Sequence, residues 1–95
     1  MHTVVRHYKG ASQLMDELAR RSADVEKLIR DIPGFVAYYL VRTADGGYSV
    51  SVFDDSSGTD ESTRRAAEFV RTNFASLATA PPEILAGESL IDFTR

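Results

Sequence analysis

The sequence predicts an α+β fold whose elements follow the order β-α-β-β-α-β, and three observations predict it. The longest apolar run, residues 35–41, is too short for a typical helix and rich in aromatic and β-branched residues. A helix-like pattern precedes this run, and a hairpin signal and a second helix-like pattern follow it. Strand-like segments begin and end the chain, at His2–Lys9 and residues 83–94.

Composition places this fold in an ordinary globular class. The chain has 95 residues, which suits one domain over residues 1–95, and it has no cysteine and a net charge of −3. Its basic residues are scattered, so a nucleic-acid surface is not expected. No apolar run approaches the ~20 residues that span a bilayer, and the first residues lack a signal-peptide pattern, so we expect no membrane contact and a cytoplasmic location.

The first predicted helix covers residues 13–31 and ends where Pro33 disfavours helical geometry. Its apolar residues recur with the helical period and fall within a stripe of about 100°. Arg21 falls near the middle of that stripe, where a core residue belongs. Three explanations are open: Arg21 extends its charged end to solvent along the apolar surface, the helix bends near Ser22 and turns Arg21 outward, or Arg21 stands at the mouth of a cavity.

The central hairpin defines two faces of the sheet. A two-residue turn at Asp45-Gly46 places Val50 opposite Val41, whereas a three-residue turn would exchange the two faces. The face expected to meet the helices is apolar throughout: Phe35, Ala37, Tyr39, Val41, Tyr48, Val50 and Val52. The other face mixes apolar groups with hydroxyls and is expected to contact a second copy: Val36, Tyr38, Leu40, Arg42, Ser49, Ser51 and Phe53.

The second half completes the pattern. An acidic loop at residues 54–60 can cap a helix predicted over residues 61–77, which Pro81 and Pro82 follow. With the last strand, two split βαβ units give a ferredoxin-like βαββαβ plait, a four-stranded antiparallel sheet with two helices on one face. The central strand has no polar face, so the open side of the sheet should pair with another copy in a homodimer.

The chain also resembles a known group. The pattern that carries the resemblance is Arg6-x-Tyr8, a helix, Ile32-Pro33-Gly34-Phe35-x-x-Tyr38, a glycine hairpin, a strand ending in Phe53, and a helix leading to Pro-Pro-Glu. It is similar to the dimeric α+β barrel superfamily, and within it to small antibiotic-biosynthesis-monooxygenase-like proteins, mostly uncharacterised. The resemblance implies a dimeric α/β barrel. It leaves activity open, since the superfamily includes oxygenases, haem-degrading enzymes, isomerases and members of unknown role.

Few residues are candidates for chemistry. Oxygenases of this superfamily hold an aromatic substrate between sheet and helices, but this chain has no tryptophan and one asparagine, Asn73, so no catalytic set maps onto it. His7 is the candidate base and points to the helices if it shares a face with Val5; the alternative is a surface histidine. His2 and His7 have no carboxylate at a metal-binding spacing, so neither a metal nor a cofactor is expected.

The candidate pocket is aromatic. Tyr39 and Tyr48 beneath Phe69 and Phe74, with Arg21 at the mouth, either line a cavity or fill it. Three functions are compatible with this pattern. They are a homodimer that binds a small apolar or aromatic molecule, a cofactor-independent monooxygenase-like enzyme, and a non-catalytic structural or regulatory dimer.

Overall fold

A computed structural model describes residues 1–77 and 80–95. Within that part of the chain, three helices cover one face of a four-stranded sheet of order β2-β3-β1-β4, in which neighbouring strands are antiparallel. The elements are β1 (His2–Lys9), α1 (Ser12–Arg20), α2 (Ser22–Arg30), β2 (Phe35–Thr43), β3 (Gly46–Phe53), α3 (Ser56–Asn73) and β4 (Glu83–Glu88). The predicted ferredoxin-like fold is confirmed.

The first predicted helix is two helices that meet at Arg21. Arg21 has φ −106° and ψ 36°, outside the helical range, and its N–H is shared between the carbonyls of Glu17 and Leu18. The interpretation of a bend near Ser22 is therefore confirmed, and the Arg21 side chain is partly exposed. Leu14, Met15 and Leu18 of α1 are buried, as are Val25 and Ile29 of α2.

The β2–β3 turn consists of Ala44 and Asp45, because Thr43 pairs with Gly46. The turn predicted at Asp45-Gly46 is therefore displaced by one residue, and Val41 lies opposite Tyr48 instead of Val50. The displacement changes each pairing by two positions. Since side chains alternate with a period of two, the residues that share a face from Ala37 onward remain as predicted.

The helices cover the face opposite to the predicted one. Tyr38 and Leu40 pack against the core, and Phe53 is buried within it, whereas Tyr39 and Val41 are exposed on the other side. The face assignment is therefore wrong. Small residues on β3 explain why: a Cβ on Gly47 would stand 2.2 Å from the sulfur of Met15, so the helix layer approaches too closely for a larger side chain.

A bulge at Val36 separates Phe35 from the rest of its predicted face. Phe35 pairs with Phe53 while Ala37 pairs with Val52. The extra residue places Phe35 on the helix side, where its ring meets Phe53 edge-on with centroids 5.9 Å apart. Val36 itself is exposed.

The second half of the chain differs from the prediction in its boundaries. α3 begins at Ser56, where the Asp55 carboxylate accepts the N–H of Ser57 at 3.0 Å, and it ends at Asn73. The predicted helix over 61–77 ended later, and its last four residues lie outside α3. The last strand, predicted over 83–94, ends at Glu88. Beyond it, Leu90, Ile91 and Phe93 are exposed.

Among the described residues, no helix is both long and apolar enough to cross a membrane.

Candidate ligand-binding site around Arg6

Arg6 is a buried cation in the middle of the sheet. It lies on β1 between Ser49 of β3 and Ile84 of β4, and its side chain points toward α3. Only 1% of its surface is exposed. Val4 and Tyr8, two residues to either side on the same face of β1, are also buried. The alternation of the strand therefore places a charged group in a row of core residues.

Four hydroxyl groups hold the guanidinium. Nε donates to Ser49 Oγ at 2.9 Å and Nη2 donates to Ser51 Oγ at 2.9 Å, so β3 binds one side of the group. From α3, Ser62 Oγ and Thr63 Oγ1 accept from Nη1 at 3.2 and 3.0 Å. These bonds fix the orientation of the planar guanidinium between the sheet and the helix.

None of these partners carries a negative charge. Within the described chain, Arg20, Arg21, Arg30, Arg42, Arg64 and Arg65 each form an ion pair with a carboxylate. All four bonds of Arg6 go to neutral oxygens. Hydroxyls accept hydrogen bonds from four of its five N–H groups but leave its charge uncompensated in the interior, where a charge is costly without a counter-ion.

Arg6 lies at the inner wall of a cavity of about 390 Å³ between β1, α3, β4 and the segment before β4. Most of the wall is apolar, and its polar groups belong to Arg6, Tyr8, Thr63 and Arg71. The described lining residues are Arg6, Tyr8, Thr63, Ala66, Ala67, Val70, Arg71, Ala75, Ala80, Pro81, Pro82 and Ile84. None of them is acidic, so the described wall carries two cations and no anion.

Tyr38 adds a neutral polar group to this region. Burial raises the pKa of Tyr38 to about 12, the nearby Tyr8 also raises it, and the Arg6 guanidinium acts in the opposite direction. Tyr38 is therefore protonated at neutral pH. Its phenol does not supply the negative charge that Arg6 lacks.

The predicted base does not reach the cavity. His7 shares a face with Val5, as expected, but that face is the open one. Its ring stacks on Tyr48 with centroids 4.3 Å apart, and Nε2 lies 3.2 Å from Oδ2 of Asp45. The prediction that His7 points toward the helices is wrong, because the helices lie on the opposite side of the sheet.

The predicted aromatic pocket is divided between two regions. Tyr39 and Tyr48 are on the open face, paired with Val50 and Val41. Phe69 and Phe74 meet at the end of α3, and the Arg21 guanidinium lies 5.5 and 5.4 Å from their ring centroids. Arg21 also donates to Asn73 Oδ1 at 3.2 Å. These five residues do not surround one cavity, and the prediction that they do is wrong.

The residues predicted for the dimer interface lie mostly inside the chain. Ser49, Ser51 and Phe53 are buried under the helices and cannot contact a second copy. Tyr38 and Leu40 also face the core, and Arg42 forms an ion pair with Asp16 of α1 at 2.6 Å. Val36 and Arg42 are the exposed members of the set. The reversed choice of face explains all of these corrections.

The sequence prediction missed the residues that shape the site. Arg6, Ser62 and Thr63 were not singled out as site residues, and Ser49 and Ser51 were assigned to the wrong side. One signal was present: a single arginine alternates with Val4 and Tyr8 on one face of a strand. A cation in such a row requires polar partners from other elements, and serines spaced by two on β3 can supply them.

A second cavity of about 640 Å³ follows the edge of the sheet, between β2 and the first two helices. Its charged groups are already paired. Arg30 contacts Glu26 at 2.9 Å and lies 5.1 Å from the centroid of the Phe35 ring. No buried and uncompensated charge faces this groove among the described residues, so the Arg6 cavity is the better candidate site.

The topology and the cavity define a ferredoxin-like α+β domain with a ligand-sized space between sheet and helices. No protein-family model matches the sequence, and no curated protein matches it significantly. Solved structures do match along nearly the whole chain, at identities that show the fold alone. The resemblance stated from the sequence is thereby confirmed for the fold.

Three of these structures indicate the range of functions that the fold supports. A protein of unknown function from Nitrosomonas europaea is 22% identical with a TM-score of 0.74, covering 99% of this chain and 92% of its own. The haem-degrader MhuD from Mycobacterium tuberculosis, with two haems in its active site, is 16% identical (TM-score 0.70; 99% and 100% covered). A monooxygenase from Streptomyces coelicolor, ActVA-Orf6, in complex with Nanaomycin D, is 17% identical (TM-score 0.64; 99% and 90% covered).

Proposed function

We propose that this protein binds a small apolar or aromatic molecule in the Arg6 cavity. One observation carries the proposal: a space of about 390 Å³ has mostly apolar walls and a few polar groups that converge from β1 and α3. Ligand sites in proteins commonly have this composition and volumes of roughly 300–1,000 Å³. A structural dimer with a filled core has no use for such a space.

The solved structures support a binding function in general terms. Two of them are described with a small molecule bound: haems in one, Nanaomycin D in the other. Their low identity carries no ligand over to this chain. Within the described lining of the Arg6 cavity there is no histidine, cysteine or methionine, and Tyr8 is the one side chain of a type that can ligate haem iron.

The test is binding of neutral aromatic probes, including 2-naphthamide and N-phenyl-1-naphthylamine. Calorimetry should detect binding, and amide shifts should map it to α3 and β4. Ala67 lines the cavity and is exposed, so Ala67→Phe should fill the space and abolish binding without disturbing the core. Ala23→Phe on α2, exposed and outside the cavity lining, is the matched control. Absence of binding by every probe, or equal binding to both variants, would refute the proposal.

The same protein is proposed to be a homodimer that associates through the open face of the sheet. The apolar residues of this open face come from all four strands: Val5, Ala37, Tyr39, Val41, Tyr48, Val50, Val52 and Leu85. Tyr39 and Leu85 are 57% and 63% exposed, although outward faces of antiparallel sheets are normally polar. A second copy offers a flat apolar surface of the same kind, and two-fold pairing of identical faces is the commonest oligomeric arrangement.

Oxygenation of an aromatic ligand is a second candidate function. The observation in its favour is that a monooxygenase with a bound aromatic ligand shares the fold. Tyr8 and Thr63 place hydroxyl groups in the Arg6 cavity, where they can orient such a substrate. Oxygen consumption with hydroquinone and anthrone-type substrates tests this activity. If the protein is an enzyme, oxygen consumption should exceed that of buffer and should be lost in Ala67→Phe. If either result fails, the enzyme function is rejected, but the proposal of ligand binding is not affected.

A further inference from the structure

The charge of Arg6 distinguishes the cavity from a purely apolar pocket. Its guanidinium is oriented by hydroxyls of Ser49, Ser51, Ser62 and Thr63, two from the sheet and two from α3. A protein that needed only core packing here would be served as well by an apolar side chain of similar volume. A buried cation with four neutral partners has a physical reason if the ligand brings the negative charge that the cation lacks.

The described surroundings of Arg6 provide no internal counter-ion. The other elements packed around the guanidinium contribute Ile84 from β4 and Tyr38 from β2, the latter protonated at neutral pH. A second cation, Arg71, lies at the exposed rim of the cavity. Among the described lining residues none is acidic, although the whole chain has a net charge of −3. The cavity is therefore a positive region in an acidic protein, which favours anionic ligands.

The guanidinium also has donor capacity to spare. Nη2 carries two hydrogens and donates one to Ser51 in the described network. A carboxylate accepts charge-assisted hydrogen bonds from such a group, which are roughly twice as strong as neutral ones. One buried cation with apolar walls suits a carboxylate on an apolar body better than a phosphate, whose extra oxygens would find few further donors.

We propose that the ligand of the Arg6 cavity is a small organic carboxylate, whose charged group binds Arg6 and whose apolar body lies against Ala66, Val70, Pro82 and Ile84. This inference rests on the proposed binding function and adds the chemical class of the ligand. Arg6 is the specificity-determining residue, and Arg71 attracts the anion to the rim without contacting it closely.

The experiment compares 2-naphthoate with its neutral analogue 2-naphthamide by calorimetry at fixed ionic strength. The wild-type protein should bind naphthoate at least about tenfold more tightly, as one hydrogen bond to a charged group predicts. Arg6→Met, which replaces the charge by an apolar chain, should remove this preference while binding of naphthamide persists. Arg20→Gln, at an exposed arginine of α1 outside the cavity lining, is the matched control and should keep the preference.

A measurement on the wild type does not depend on folding of the Arg6 variant. The Nε–H resonance of Arg6 should shift when naphthoate saturates the protein and move much less with naphthamide. Equal affinities of the two probes, a preference kept in Arg6→Met, or an unmoved Arg6 resonance would each overturn the carboxylate proposal. Failure of both probes to bind would instead overturn the proposed binding function itself.

Discussion

Arg6 Nη2 donates a 2.9 Å hydrogen bond to Ser51 Oγ, and both residues are buried between the sheet and α3. The two residues belong to adjacent strands, and the bond holds a cation in an interior that offers it no carboxylate. Ser51→Ala should lower the free energy of unfolding by about 1.5–3 kcal/mol, the usual value for a bond to a charged group. Chemical denaturation measures the change. Ser76→Ala, at an exposed serine, should stay within about 0.5 kcal/mol of wild type; equal effects of both substitutions would contradict the importance of the network.

Close packing of α3 on the sheet gives a second prediction. Alanine normally stabilises a helix relative to glycine by about 1 kcal/mol. At position 58, however, a Cβ would stand 2.6 Å from the side chain of Phe53, which is fully buried. Gly58→Ala should therefore destabilise the protein, by about 1–3 kcal/mol as in other overpacked cores. Thermal denaturation measures it.

The control for this substitution is Gly87→Ala in β4. A Cβ on Gly87 meets no atom within 4 Å among the described residues. This variant should keep the melting temperature of the wild type. A stabilising effect of Gly58→Ala would show that α3 can move away from Phe53 at little cost.

Local patterns in the sequence were sufficient for the order and type of the elements. Periodicity located the helices and strands, and the stripe of the first helix singled out Arg21, for which a bend near Ser22 was one of the open explanations. The covered face of the sheet could not be obtained in this way. Apolarity favoured Tyr39, Tyr48 and Val50, but the helices pack over Gly47 and Ser49 because small residues allow close approach.

The candidate site depended on contacts between distant parts of the chain. Arg6 reaches Ser49, 43 residues away, and Thr63, 57 residues away. Side chains that are unremarkable singly become a cation site only when β3 and α3 bring them together. A residue-by-residue search for catalytic types instead selected His7. Its side chain stacks on Tyr48 on the open face, so the wrong choice of covered face also misplaced His7.

Glu61 on α3 provides a prediction about pH. Hydrogen bonds from Arg64 and Arg65 lower the pKa of Glu61 to about 2. A lowered pKa in the folded state stabilises the protein above the unfolded value and is lost as the pH falls from about 4.5 toward 2. The side chains are exposed to solvent, so salt should weaken the effect.

A carboxyl-detected NMR titration measures this pKa directly. Arg64→Gln should raise the pKa of Glu61 toward its ordinary value, since the Arg64 hydrogen bond contributes most to lowering it. Arg71→Gln, on the same helix but without a bond to Glu61 among the described contacts, should leave it unchanged. A Glu61 that titrates normally in the wild type would show that the ion pairs do not persist in solution.

The open face predicts the oligomeric state. Tyr39 lies on this face of the edge strand β2 and pairs with Val50 of the neighbouring β3. Tyr39→Asp would place an unpaired charge in an apolar interface, so the proposed dimer should dissociate. Sedimentation at micromolar concentration should give twice the 10.5 kDa chain mass for wild type and a single chain for the variant.

The control places the same charge on the opposite layer. Thr72 is exposed on α3, away from the open face, so Thr72→Asp should remain a dimer. Denaturation of Tyr39→Asp separates dissociation from unfolding: because Tyr39 is more than half exposed in the single chain, a folded monomer is expected, with stability that depends on protein concentration only in the wild type. A wild-type protein that sediments as a single chain, or a Tyr39→Asp variant that still dimerises, would show that the apolar open face does not pair with a second copy.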